Sequence, residues 1–105
     1  MTRRNDIRLV FQRRLQEARL RRQLSQKELG VRAGLDPSVA STRINRYELG
    51  VHEPDMATVQ RLAETLSVPT SYLFAEDERL ARMILAFDKL TVVEKERLLK
   101  DLESG

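Results

Sequence analysis

Between Gly34 and Gly50 the chain gathers Ser38, Ser41, Thr42, Asn45 and Arg46. All five side chains are short or planar hydrogen-bonding groups. On a helix of about 3.6 residues per turn, Ala40, Ile44 and Tyr47 form one stripe and these five collect on the opposite side. Such a face donates and accepts hydrogen bonds at close range. It suits base edges in a DNA major groove, where Asn pairs with adenine, Arg with guanine, and Thr meets the thymine methyl. An ordinary solvent face would carry Glu and Lys, because Ser, Thr and Asn are weaker helix formers.

Catalysis and metal binding lack their residues. The chain has no Cys and one His, His52, so there is neither a thiol nucleophile nor a recognisable zinc ligand set. Glu28, Glu48 and Glu64 have ordinary helical roles, and no carboxylate pair suggests general acid–base work. The expectation is a protein that is not an enzyme and needs no cofactor or metal.

The partner implied by charge is a polyanion. Net charge is only +3, but residues 1–24 hold eight Arg against Asp6 and Glu17, while residues 51–105 sum to a negative value. A basic half joined to an acidic half points to one side that faces nucleic acid. The 105 residues suffice for one domain with a small extension, and 41% hydrophobic with 33% charged residues is a globular composition. No apolar run approaches the roughly 18 residues of a membrane span, and polar Thr2 to Asp6 do not open a signal peptide. No membrane partner and a cytoplasmic location are expected, the latter in keeping with the absence of cysteine.

The elements that must position the Ser38–Arg46 face are all helical, with no alternation of period two. Helix one is predicted over about Asp6 to Arg22, with Ile7, Phe11, Leu15 and Ala18 inward. Ser25 and Glu28 form a capping box that starts helix two, and Gly34 ends it. Asp36 as N-cap and Pro37 in the first turn open helix three, which Gly50 closes. Asp55 caps a fourth helix to about Leu66, with Val59, Leu62, Ala63 and Leu66 inward. Pro69 to Phe74 is a short helical piece. Two further helices, about 77–89 and 92–102, form a C-terminal hairpin, the second capped by Thr91 and Glu94. The fold class is all-α.

FQRRLQEARLRRQLSQKELGVRAG, then INRYELG and PDMATVQRLAETLSVPTSYLF, resembles the lambda-repressor-like family. That family includes phage Cro and repressor domains and the xenobiotic-response-element type of regulator. The resemblance covers about residues 11–74 and implies a five-helix DNA-binding domain whose helices two and three are a helix-turn-helix. Residues 1–10 are then a basic extension and the start of helix one, and residues 75–105 a hairpin outside the match.

Carried over by position, the resemblance puts Ser41, Thr42, Asn45 and Arg46 on base-reading positions and Gln26 on a backbone phosphate. It implies a salt bridge from Arg19 to Glu48, tying helix one to helix three. Arg43 and His52 are further phosphate candidates, His52 because Leu49 and Val51 stand where basic residues are common. Helix one offers Arg13, Arg14, Arg21 and Arg22 in compensation. The interval from Gly34 to Ile44 is about four residues longer than the common pattern. Asp36 and Pro37 favour a longer helix three that brings Ser38 to the groove; a longer loop would not.

The expected function is sequence-specific binding of double-stranded DNA by a transcriptional regulator, with helix three in the major groove. A homodimer on an inverted repeat is expected. Leu80, Met83, Ile84 and Phe87 give the hairpin one apolar side and Leu98, Leu99 and Leu102 another. Leu9 and Leu20 of helix one fall opposite its core stripe and offer a receiving surface. The alternative is an antitoxin, or another protein-interaction module, that uses the same fold on a toxin partner.

Overall fold

Five of the six α-helices begin where a side chain accepts hydrogen bonds from their free N–H groups, among residues 6–105, which the computed structural model describes. Asp6 caps α1 (Ile7–Arg21), Ser25 with Glu28 caps α2 (Gln26–Arg32), and Asp55 caps α4 (Met56–Leu66). Asp77 caps α5 (Glu78–Asp88), and Thr91 with Glu94 caps α6 (Val92–Ser104). A 3-10 helix (Thr70–Phe74) follows α4. There is no strand among the described residues. Arg3 and Arg4 of the basic extension lie outside them.

The exception is α3 (Ala40–Leu49), whose first flanking residue, Val39, has no side-chain cap. The expectation that helix three opens at Asp36 is corrected here. Asp36 accepts from the Ser38 backbone N–H at 2.8 Å and from the Ser38 hydroxyl at 2.6 Å, and its carbonyl accepts from Val39 at 3.0 Å. Asp36 to Val39 thus closes a turn with Pro37 at its second position. Aspartate heads such turns as readily as it caps helices. The four additional residues lengthen the connection, and α3 is only ten residues long.

The core is built where α1, the 3-10 helix, α3, α2 and α4 converge. Leu15, Leu29, Ile44, Leu62 and Leu73 are completely buried there, and the Phe11 and Phe74 rings stack at 5.6 Å. Val59, Ala63 and Leu66 point inward as their spacing predicts. Phe11, Leu15 and Ala18 of the α1 stripe are buried as expected, and the stripe differs at its first residue and in two additions. Ile7 is exposed and lines an open cleft beside Phe11 and Phe74, while Val10 and Arg14 are buried.

Two helices, α2 and α3, approach closely at Gly30, which meets Ala40 with no side chain of its own. A Cβ there would lie 2.7 Å from the Ala40 Cβ and 3.0 Å from the Ala40 carbonyl oxygen. Gly30→Ala gains roughly 1 kcal/mol of helix propensity but overpacks the α2–α3 contact. A net loss of about 1–3 kcal/mol is expected in a thermal or urea melt. An unchanged melt would show that α2 and α3 part freely.

The C-terminal pair stands open. Ala81 enters the core and Ile84 and Leu85 pack against it, but α6 buries no residue and does not lie lengthwise on any other helix. Leu9 and Leu20 stay exposed, so the hairpin does not fold back over them. The radius of gyration is 15.3 Å, against about 13 Å for a compact chain of this length. No helix among the described residues is long and apolar enough to cross a membrane.

Candidate nucleic-acid interface

α2, the turn through Gly34 and Asp36, and α3 make the motif. Gly34 takes φ +92° after α2, and Gly50 takes φ +77° after α3, both left-handed. Ala40, Ile44 and Tyr47 root α3 in the core. Ser41, Thr42, Arg43, Asn45 and Arg46 are left exposed on its outer side. Thr42, Arg43 and Arg46 border a cleft of about 290 Å³ with His52, from the loop after α3, on its far wall. Glu53 shares that wall and lies 3.8 Å from Arg8, which thereby joins the loop beside His52. Arg8 is a candidate that sequence reasoning missed, since only the folded loop brings it there.

Beneath this face is a polar brace. Arg19 Nε donates to Glu48 at 2.6 Å and its Nη2 at 3.1 Å, a two-pronged pair, while its Nη1 caps the Leu24 carbonyl at 3.0 Å. The Glu48 side chain is 2% exposed and the Arg19 side chain 11%. The glutamate charge is thus consumed inside the fold and does not confront phosphates. The Gln26 amide nitrogen donates to Glu48 at 3.2 Å and to Asn45 Oδ1 at 3.1 Å. Glu48 as a carboxylate only accepts, so the amide nitrogen of Gln26 must face it. In the protein without DNA the Gln26 amide nitrogen is engaged by Glu48 and Asn45, and so holds Asn45 in place. Asn45 keeps its own NH₂ and a second lone pair on Oδ1 for a base edge.

Ser38 sits in the turn before α3 with its hydroxyl proton given to Asp36. That bond and the backbone N–H bond hold the Asp36 carboxyl below its ordinary range, so a negative charge persists beside the start of α3. Among the helix-one arginines, Arg14 is buried, Arg21 lies over the Tyr72 ring, and Arg22 donates to Ser67 at 2.8 Å. Arg13 lies 3.9 Å from Glu17 on its own helix. These contacts lead to the 3-10 helix, the end of α4 and α1 itself, and none leads to α2 or α3.

Residues 15–73 match the helix-turn-helix family. The chain belongs to that family of DNA-binding regulators. This helix-turn-helix protein is 29% identical, over 102 residues, to the cryptic phage CTXphi transcriptional repressor RstR of Vibrio cholerae. The alignment covers 90% of this chain and 86% of RstR. The crystal structure of transcriptional regulator BswR matches it with a TM-score of 0.83 at 40% identity, over 90% of this chain and 93% of BswR. Coverage of nine-tenths carries both likenesses into α5 and α6, beyond the family match. The relatives are transcriptional regulators and not enzymes.

Proposed function

We propose that this helix-turn-helix protein binds a specific double-stranded DNA sequence as a dimer and represses transcription there. In this reading α3 enters the major groove, and α5 and α6 join two copies on an inverted repeat with half-sites about one helical turn apart. The observation that carries it is the outer side of α3, where Ser41, Thr42, Asn45 and Arg46 stand exposed above a buried Ile44. Arg43 and His52 flank that row within reach of the groove edge and serve phosphates, with Arg8 beside them. The likeness to RstR supports repression.

Selection from random duplexes, followed by affinity measurements across salt, tests this. With roughly 6–10 phosphate contacts, affinity should fall about 10³–10⁵-fold between about 50 and 200 mM salt. Asn45→Ala and Arg46→Ala should each cost about 1–3 kcal/mol and relax preference at one base position. Gln26→Ala should relax preference at the same position as Asn45→Ala, because it releases that side chain; uniform weakening at all sites would instead return Gln26 to the phosphate backbone. Salt-insensitive binding, or no enriched sequence, would sink the reading.

A further inference from the structure

Arg14 lies mid-way along α1, yet it is 1% exposed. Its guanidinium reaches the junction between the DNA-binding domain and α5. Nε donates to the Ala75 carbonyl at 3.0 Å, and Nη1 donates to Glu78 at 2.7 Å and to Glu17 at 3.1 Å. The guanidinium carbon sits 5.6 Å from the centre of the Tyr72 ring. Ala75 closes the 3-10 helix, and Glu78 is the first residue of α5. One side chain therefore holds both ends of the short connection.

The chemistry makes this tie directional. Burial works against the Arg14 charge, but the hydrogen bonds it donates to Glu78 and Glu17, with the attraction of their charges, outweigh burial and raise its pKa. The bond to Arg14 in turn holds the Glu78 carboxyl below its ordinary value. Both partners are charged throughout the neutral range. A planar guanidinium fork sets angle as well as distance, which a lysine or an apolar contact does not. An apolar residue of similar volume would often serve stability as well as a buried charge. Nη2 of Arg14 is buried without a partner among the described residues, so the group is held here at a cost.

We propose that Arg14 is a positioning residue for operator recognition: by clamping Ala75 to Glu78 it sets the angle at which α5 and α6 leave the DNA-binding domain, and so selects the half-site spacing that the dimer accepts. The proposal rests on the dimeric reading above. Added base pairs rotate a half-site about 35° and shift it about 3.4 Å each, so spacing selectivity requires a stiff junction. Ala81, Ile84 and Leu85 seat α5 on the core by apolar contact. Glu76 and Asp77 between the two anchors are exposed. The clamp adds the direction that apolar contact lacks.

The test uses the full chain and a panel of inverted repeats whose spacer changes one base pair at a time. The wild type should prefer one spacing over its neighbours by about tenfold or more, the scale of one impaired base contact. Arg14→Met, which fills the space without the fork, should stay dimeric in sedimentation and keep its half-site base preference. Its spacing ratio should fall to within roughly threefold, with Glu78→Ala intermediate. An unchanged ratio in a folded, dimeric Arg14→Met protein would overturn the proposal, whatever its melting temperature. Should Arg14→Met fail to fold, an unchanged ratio in Glu78→Ala, altered only at an exposed residue, would overturn it equally. A wild type that is monomeric or indifferent to spacing would overturn the dimeric reading and the proposal together, before any variant is compared.

Discussion

Replacing Leu99 and Leu102 of α6 with glutamate is expected to split the protein into monomers and weaken operator binding by about 10²–10⁴-fold, the usual gain from linking two binding modules. By affinity arithmetic that is about 3–5.5 kcal/mol. Leu102 is 60% exposed, Leu99 38%, and Leu80, Met83, Val92 and Val93 are exposed nearby in sequence. A terminal module with this much bare apolar surface needs a cover, and a second copy supplies one at no cost in new sequence. The substitutions alter exposed residues of a helix that buries no residue in the single chain, so the melting of the DNA-binding domain should hardly change. Sedimentation should give twice the 12.2 kDa chain mass for the wild type and the chain mass for the variant. A wild type that is monomeric at roughly tens of micromolar would leave α6 for an unlike partner, such as a toxin, and would end the homodimer proposal.

Arg19→Ala should destabilise the fold by about 3–5 kcal/mol, whereas Arg8→Ala should change it by no more than about 0.5 kcal/mol. The two arginines are on the same helix, and both touch a carboxylate. Arg8 is 68% exposed, with contacts at 3.5 and 3.8 Å, so water and salt replace what it loses. Removing Arg19 instead strands Glu48, 2% exposed, with the Gln26 amide as its remaining hydrogen-bond donor. For a domain of this size the difference corresponds to at least about 10 °C in melting temperature. Arg19→Ala/Glu48→Ala should regain part of the loss, because no buried charge is then unpaired. Melting temperatures within about 2 °C of each other for Arg8→Ala and Arg19→Ala would remove the brace from the account.

The brace also links stability to recognition. Glu48 accepts from both Arg19 and Gln26, and Gln26 holds Asn45. A mutation at Arg19, well away from any base, should therefore loosen a base-reading side chain as well as the fold. The charge of Asp36 beside α3 works in the opposite direction, against close phosphate approach, and the turn it heads keeps it there.

What could be read from the sequence is what short windows determine. The capping pairs Ser25–Glu28 and Thr91–Glu94, the left-handed stops at Gly34 and Gly50, and the Ala40–Ile44–Tyr47 stripe each span a few residues, and their physics is local. The outer face of α3 follows from that stripe by helical geometry alone. Tertiary structure decided the rest. Asp36 is equally able to cap a helix or head a turn, and only the path from α2 to α3, pinned by the Gly30–Ala40 contact, selects the turn. Arg14 has the polarity of a surface residue. Its burial depends on carbonyl and carboxylate partners more than sixty residues away at Ala75 and Glu78, which no local window contains. Gln26 turned inward for the same reason, since Asn45 and Glu48 reach it only once α3 has docked on α2. Hydrogen-bond partners distant in sequence are assigned by packing, so pattern and propensity located the recognition helix but not the polar groups that hold it in place.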